Sequence, residues 1–185
     1  MLKPLLFLCF ICNTFTNIKD FKQQIQIATS KEKSTYSCED LRLKAVDDFT
    51  NIKVLEFAPA YIDKKKHALA INAAKHKDVF AAATTSFTGK TGIYNLTINT
   101  LTEIDGESIY KVFINDILIG IFKNPSSTKD YAPASKTFTN ISVKNNDSIR
   151  VEFNSHTNGH IPEGDSTAYS RGRWTSLDFN CNKKH

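Results

Sequence analysis

A run of strand-like segments between Gly92 and Phe179 constrains the fold of this chain more than any other feature. The segments lie at 92–102, 110–115, 117–122, 138–143, 148–153 and 174–179. In the first of them Tyr94, Leu96 and Ile98 alternate with polar residues, which is the period of a strand with one buried face. Turn-forming residues separate the segments, and no helical pattern of comparable strength interrupts them. The sequence therefore predicts an all-β fold, an antiparallel sandwich or barrel.

The first 17 residues have the build of a secretory signal peptide, in which Lys3 precedes a short apolar run. This run is shorter than the roughly 20 residues that a membrane-spanning helix needs. We therefore expect a secreted or cell-surface protein with no integral membrane segment after cleavage. Cys12 leaves a lipoprotein anchor as a minor alternative, because Phe10 and Ile11 are larger than the residues that usually precede a lipidated cysteine.

The remaining chain has the length of one domain. Residues 18–37 are polar and lack a sustained period, which predicts a flexible leader, and residues 38–185 predict a single sandwich domain. The formal charge is +5, or +4 without Lys3, and no stripe of basic and aromatic residues accompanies it. We expect a monomer that does not bind nucleic acid, and we interpret the basic run at 64–67 as a solvated loop.

Three segments before residue 92 are less regular. Residues 39–49 fit a short helix or an opening strand, and residues 52–58 predict a strand that Pro59 ends. Residues 68–87 combine alanines that favour a helix with a stretch before Gly89 that fits a strand followed by a turn.

Two cysteines remain after cleavage, Cys38 and Cys181. An even pair in an oxidising compartment favours a disulfide bond. Because the first and last strands of a sandwich often lie side by side, this bond would join the two ends of the domain. Two free thiols are the alternative.

A polar loop at 154–174 carries the candidate binding residues. Period-two alternation, counted back from Leu177 and Phe179, predicts that Trp174 faces outward, and the alternative is that Trp174 caps the core at a bulge. Aromatic faces stack on sugar rings, while polar and charged groups bind hydroxyls, carboxylates or sulfates. The candidate ligand-binding residues are Trp174, Tyr169, Arg171, Arg173, His156, Asn158, His160, Glu163 and Asp165.

Some of these residues also fit other chemistry. The spacing of His156 and His160, with Glu163, suits a transition metal mainly on a helix, which the glycines and proline of the loop disfavour. With Tyr169 and Arg171 the same residues provide the groups of a polysaccharide lyase, which needs a base and a group that neutralises a uronate carboxylate.

The two arginines near the end of the loop favour an acidic ligand, because a guanidinium group pairs bidentately with a carboxylate or a sulfate. Their alternative role is structural: Arg171 and Arg173 would then cross-link loops to carboxylates. In another loop, Asp130 and Tyr131 are further candidates, which we interpret as turn residues.

The order of the strand motifs resembles that of β-jelly-roll carbohydrate-binding modules of the family 6 and family 35 type. The matching stretches are G-I-Y-N-L-T-I, Y-K-V-F-I-N-D-I-L-I-G, T-N-I-S-V-K-N-N-D-S-I-R-V-E-F and R-W-T-S-L-D-F, within residues 55–179. The resemblance implies a jelly-roll sandwich and a non-catalytic protein that binds a polysaccharide. Together with the signal peptide and the two arginines, it leads us to expect a secreted protein whose ligand is an acidic polysaccharide. The alternatives are a small polysaccharide lyase or glycoside hydrolase and a surface adhesion or protein-interaction domain.

The same resemblance implies no required cofactor, but such modules commonly hold a structural calcium ion. It places Glu56 and Asp178 among the oxygen ligands of that ion, because the first and last strands of such a module meet at one edge. Ordinary surface carboxylates are the alternative interpretation of both residues.

Overall fold

The computed structural model describes residues 38–183, so the predicted signal peptide (1–17) and leader (18–37) lie outside the described residues. Within residues 38–183 the chain forms twelve strands and no helix, and hence no helix that could span a bilayer. In chain order the strands are β1 (Leu41–Lys44), β2 (Ala60–Asp63), β3 (Ala68–Ile71), β4 (Phe80–Ser86), β5 (Gly92–Leu101), β6 (Ile109–Ile114), β7 (Ile117–Lys123), β8 (Pro133–Val143), β9 (Ser148–Asn154), β10 (Pro162–Glu163), β11 (Ser166–Thr167) and β12 (Trp174–Cys181).

The strands form two antiparallel sheets that face each other across one core. The six-stranded sheet has the order β2-β3-β12-β5-β8, and β1 also pairs with β12. The four-stranded sheet has the order β4-β9-β6-β7, and β10 and β11 form a separate small hairpin. This arrangement confirms the all-β jelly-roll sandwich that the sequence predicted.

Side-chain alternation places the core between the sheets. Buried and half-buried residues alternate along all ten positions of β5. Its inward side chains, Tyr94, Leu96 and Ile98, have no exposed surface, and neither have Val151 and Phe153 of β9 in the opposite sheet. Such complete burial of apolar side chains on both inner faces supplies the main driving force for folding.

The three less regular segments before residue 92 form strands and turns. Residues 39–49 contain the opening strand β1 followed by a turn, and residues 68–87 contain the strands β3 and β4 joined by turns. The predicted strand at 52–58 is wrong, because the backbone N–H of Phe57 bonds to the carbonyl oxygen of Val54 in a tight turn and Glu56 has a φ of 71°.

The predicted disulfide bond is confirmed. Cys38 and Cys181 are bonded, with their α-carbons 5.6 Å apart. The bond lies next to the β1–β12 pair, in which Leu41 is opposite Phe179. It therefore links the chain that enters the sandwich to its last strand.

Trp174 is buried, so its predicted outward orientation is wrong and the alternative of a bulge is correct. In the β12–β5 pair Trp174 lies opposite Thr100, whereas Ser176 lies opposite Asn99, which leaves Thr175 as an extra residue. One extra residue reverses the alternation beyond it, and the indole therefore enters the core. It has no exposed surface.

Candidate functional site

A groove of about 460 Å³ lies beside the β2–β3 hairpin and the end of the 154–174 loop. We call it the basic groove. It is lined chiefly by Tyr61, Asp63, Lys64, Lys65, Lys66, Tyr131, Arg171 and Arg173. Five of these side chains are cationic and one is a carboxylate. The groove has the volume of a small-ligand site and a net positive charge.

The β2–β3 hairpin presents its three lysines because Asp63 stabilises the turn. One carboxylate oxygen of Asp63 accepts hydrogen bonds from the backbone N–H groups of Lys65 and Lys66, at 3.1 and 3.2 Å. An aspartate that caps the two following residues in this way is typical of a tight turn. Lys64 and Lys65 are exposed at this turn, whereas Lys66 is half-buried.

Arg173 forms the floor of the groove and is only 3% exposed. Its Nε donates a hydrogen bond of 2.7 Å to the other carboxylate oxygen of Asp63. Its Nη1 donates to Glu103, which is 5% exposed and also accepts the backbone N–H of Arg171 at 3.0 Å. One buried guanidinium thus joins the β2–β3 hairpin to the segment that follows β5.

Burial and ion pairing act in opposite directions on the charges of this floor. Burial lowers the pKa of Arg173, but the carboxylates of Glu103 and Asp63 outweigh burial and raise it above its ordinary value. Burial raises the pKa of Asp63, yet its contact with Arg173 and the N–H groups of the turn lower that pKa overall. For Glu103, burial raises the pKa to about 7 although Arg173 and the N–H of Arg171 lower it.

Tyr131 also lines the groove and has an uncommon backbone conformation. Its φ is 64°, which costs energy for a residue with a bulky side chain. Backbone hydrogen bonds between Thr102 and the 131–132 segment, of 2.6 and 2.9 Å, hold it there. The Nζ of Lys66 lies 3.7 Å from the centre of the ring, and the guanidinium carbon of Arg173 lies 5.1 Å from it. Tyr131 as a whole residue is 37% exposed.

Gly172 allows the two arginines of the loop to lie at the same groove. Its φ is 58°, and a β-carbon at this position would lie 2.5 Å from the carbonyl oxygen of Asn154. A residue with a side chain fits neither this conformation nor this space. On either side of Gly172, Arg171 is exposed at the rim and Arg173 is buried in the floor.

Of the nine candidate residues from the sequence, only Arg171 and Arg173 line the basic groove. The structural role that was the alternative for Arg173 is confirmed, because its guanidinium pairs with two carboxylates. Arg171 does not share this structural role, since it is exposed at the rim of the groove. Trp174 takes no part in the groove because it lies in the core.

His156 and Tyr169 lie in a different cluster. The Nδ1 atom of His156 is 3.0 Å from a carboxylate oxygen of Asp78, and burial together with this carboxylate raises the pKa of Tyr169. The Nζ of Lys77 lies 5.1 Å from the centre of the Tyr169 ring. The lyase hypothesis required these two residues to work with Arg171, which instead lines the basic groove.

The other loop candidates support the loop or are exposed on it. Asn158 donates a hydrogen bond of 2.9 Å to the carbonyl oxygen of Ile104 and accepts the N–H of His160 at 3.0 Å. Glu163 and Asp165 are exposed on the β10–β11 hairpin. Within residues 38–183 no group of three or more His, Cys, Asp or Glu side chains is arranged to hold a metal ion.

The contacts of Asp178 do not fit the predicted calcium site. Both of its carboxylate oxygens accept hydrogen bonds from Arg42, at 2.8 and 2.7 Å, and one also accepts the hydroxyl of Ser176. Asp178 lies in β12 between β1 and β5, whereas Glu56 lies in the turn before β2. The first strand therefore brings a guanidinium group to Asp178 where the prediction required a second carboxylate.

Sequence reasoning missed most of the basic groove. The basic run at 64–67 forms an exposed turn and Tyr131 lies in a turn, as the sequence predicts, but the groove that these residues line with Tyr61 was not predicted. The proximity of an aromatic residue to a lysine run, Y-I-D-K-K-K, was a signal that pointed to the site. Its connection to Tyr131 and Arg171, however, depends on contacts between residues far apart in the chain.

No protein-family model and no curated protein sequence matches this chain. Among solved structures the chain is similar to the CBM36-1 domain of a multidomain xylanase from the hindgut metagenome of Trinervitermes trinervoides. The TM-score is 0.45 and the identity 12%, over 77% of this chain and 97% of that chain.

Two further carbohydrate-binding modules show the same degree of likeness. A family 35 module from Clostridium thermocellum has a TM-score of 0.43 and 12% identity, over 76% of this chain and 97% of that chain. A CBM36 module in complex with calcium and xylotriose has a TM-score of 0.41 and 14% identity, over 76% of this chain and 99% of that chain. The resemblance noted in the sequence is confirmed, and at these identities it concerns the fold alone.

Proposed function

We propose that this chain is an exported, monomeric carbohydrate-binding protein that holds an anionic polysaccharide in the basic groove, without catalysing a reaction on it. The observation that carries the proposal is the composition of the groove, in which five cationic side chains and two tyrosines surround one carboxylate. Export is supported by the signal-like N-terminal sequence and by the disulfide bond, which persists in oxidising compartments.

The charges favour an acidic ligand over a neutral one. The negative charge of Asp63 is largely compensated by Arg173 and by the N–H groups of the hairpin turn, so it repels an anionic ligand only weakly. The ammonium groups of Lys64 and Lys65 and the guanidinium of Arg171 extend from exposed positions at the rim. Carboxylates and sulfates form charge-assisted hydrogen bonds with these groups, and Arg171 adds the geometry for a bidentate contact.

The tyrosines favour a saccharide over a simple anion. An aromatic face packs against the apolar C–H face of a pyranose ring, and the phenol group adds a polar contact. Lys66 lies over the ring of Tyr131 in the free protein. When an anionic group of the ligand pairs with this ammonium, the ring face becomes available to the sugar.

The first test measures binding of the chain that begins at residue 18 to polygalacturonate and heparin, with xylan as the neutral polymer. We expect binding to at least one of the two acidic polymers, weaker binding to xylan, and loss of affinity as salt rises, because screening weakens exposed ion pairs. Binding to xylan alone, or to none of the three, contradicts the proposal. Release of unsaturated or reducing ends from either acidic polymer contradicts its non-catalytic part.

Removing the rim charges is expected to weaken binding to the acidic polymer. In the variant Lys64→Ala/Lys65→Ala the affinity falls about tenfold, as expected for the loss of two exposed charge contacts of roughly 0.7 kcal/mol each. The dependence of affinity on salt falls with it. Calorimetric titrations at two salt concentrations measure both quantities.

A matched control separates local charge from total charge. The variant Lys53→Ala/Lys144→Ala removes the same number of charges from exposed positions that do not line the groove. We expect it to retain the affinity of the unmodified protein. Equal weakening in both double variants would mean that the polymer responds to net charge alone, which contradicts a binding site in the groove.

The aromatic contact is tested at Tyr131. We expect Tyr131→Ala to lower the affinity about tenfold, and Tyr131→Phe to keep most of it, because phenylalanine retains the ring face. Tyr169→Ala removes the aromatic residue that the sequence favoured, outside the groove, and should leave the affinity unchanged. A loss with Tyr169→Ala and none with Tyr131→Ala would place the site in the 154–174 loop instead.

A further inference from the structure

We propose that the basic groove is one part of a longer binding track, and that a single anionic polysaccharide chain runs from the groove across the outer face of the six-stranded sheet. This inference rests on the proposed function and adds to it the length of ligand that the protein recognises. The second part of the track is a depression of about 320 Å³, which we call the outer depression.

Lys66 connects the two parts, because its side chain lines both the basic groove and the outer depression. The hairpin turn at 64–67 places Lys64 and Lys65 on the groove side and His67 on the side of the outer depression. His67 has a φ of 48°, and such a conformation is typical of a tight turn. One short turn therefore borders both depressions.

The outer depression lies on the solvent face of the sheet. Arg42 and Lys44 of β1 are exposed, whereas Leu43 between them is buried in the core. In the β1–β12 pair Arg42 is opposite Asp178 and Lys44 is opposite Ser176, so these four side chains share the outer face. The depression then continues into a third one of about 380 Å³ through the shared residues Arg42, Thr175 and Ser176.

The kind of side-chain group that a ligand would meet changes along the proposed track. In the outer depression two cations are paired, Arg42 with Asp178 and Lys44 with Asp47 at 3.3 Å. Hydroxyl and amide groups follow, and they also bond within the protein: the amide of Asn99 donates to the largely buried hydroxyl of Ser176, and the hydroxyl of Thr175 donates to the carbonyl oxygen of Asn99. The remaining hydrogen-bonding capacity of these groups suits the hydroxyls of a sugar chain, while the exposed charges at the rim of the groove suit its acidic groups.

A ligand that reaches both parts gains the second set of contacts without a second loss of translational and rotational freedom. A short oligosaccharide that fills only the groove does not gain them. We therefore expect affinity to rise with chain length and to level off once the ligand covers the track.

The test compares short and long ligands in solution by calorimetry, with digalacturonate and long galacturonate oligomers in one arm and heparin disaccharide and long heparin oligomers in the other. The variant Lys44→Ala/His67→Gly removes two exposed side chains of the outer depression, and glycine suits the positive φ of His67. We expect it to lower the affinity for the long oligomers about tenfold and to leave the affinity for the disaccharides unchanged.

The outcomes separate this inference from the proposed function. If Lys44→Ala/His67→Gly changes neither affinity while Lys64→Ala/Lys65→Ala lowers both, the track is wrong and the groove remains the binding site. If the unmodified protein binds disaccharides as tightly as long oligomers, the track is also wrong. If no ligand of either arm binds, the proposed function and the track fail together.

Discussion

Replacing Trp174 by alanine is expected to destabilise the domain by about 3–5 kcal/mol, the usual cost of removing a large buried aromatic side chain. The indole is fully buried and packs edge-on against Phe49, with ring centres 4.8 Å apart, and against Phe153 at 6.0 Å. Since small domains have about 5–15 kcal/mol of total stability, much of the stability depends on this one residue. Thermal unfolding should show a midpoint lower by roughly 10 °C or more.

The variant Trp174→Phe provides the matched control. Among the described residues the indole nitrogen of Trp174 has no hydrogen-bond partner, so phenylalanine removes volume but breaks no hydrogen bond. We expect a clearly smaller loss of stability than for alanine. Folded Trp174→Phe protein should bind the acidic polymer as the unmodified protein does, because the side chain does not reach the groove.

Fluorescence provides an independent check, because Trp174 is the only tryptophan of the chain. We expect native emission that iodide does not quench and that a bound polysaccharide does not shift. Strong quenching by iodide, together with a small effect of Trp174→Ala on stability, would show that the indole is exposed and that the bulge in β12 is absent.

The fold was predictable because its signal is local. Tyr94, Leu96 and Ile98 alternate with polar residues over positions 94–99, which is the pattern that a strand between core and solvent requires. The disulfide bond followed from the number of cysteines and the expected compartment. The turn at residues 53–57 was not predictable from the sequence. Its residues are as apolar as those of a strand, and the positive φ of Glu56 is evident only in the structure.

The site was less predictable because it depends on one inserted residue and on contacts across the chain. Thr175 shifts the alternation of β12 by one position, and no residue type in the sequence marks such a bulge. Arg173 lies 110 residues from Asp63 and 70 from Glu103 in the chain. The sequence shows that Arg171 and Arg173 flank Gly172, but the carboxylate partners of Arg173 became evident only from the fold.

Replacing Arg173 by methionine is expected to destabilise the domain by about 3–5 kcal/mol at pH 8, because removal of one partner leaves the buried charges of the others unpaired. Methionine keeps much of the length of the side chain, so that the loss of charge dominates over the loss of packing. Glu103 is 5% exposed, and the side chain of Asp63 is 15% exposed. The free energy of unfolding in urea, measured for both proteins, gives the difference.

The pH dependence of the stability difference between the two proteins tests whether the loss of charge neutralisation causes the destabilisation. In the unmodified protein the pKa of Glu103 is about 7, against 4.5 in the unfolded chain, and Arg173 lowers the pKa of both carboxyls. Without Arg173 the folded variant holds protons on these carboxyls more tightly than the folded unmodified protein does, so the stability of the variant rises relative to the unmodified protein as the pH falls. The deficit should therefore be smaller at pH 5 than at pH 8.

The exposed ion pair between Arg42 and Asp178 is a control that measures how much of the destabilisation by Arg173→Met comes from burial. Arg42 makes the same kind of two-point contact with Asp178, but its side chain is 64% exposed. Arg42→Met should cost less than about 1 kcal/mol, because solvent screens a pair with an exposed guanidinium group and Asp178, whose side chain is 18% exposed, keeps the hydroxyl of Ser176 as a hydrogen-bond donor. If Arg173→Met has an equally small effect, or a deficit that is constant between pH 5 and pH 8, Arg173 does not neutralise buried carboxylates. The groove floor then depends on packing and not on the ion pairs.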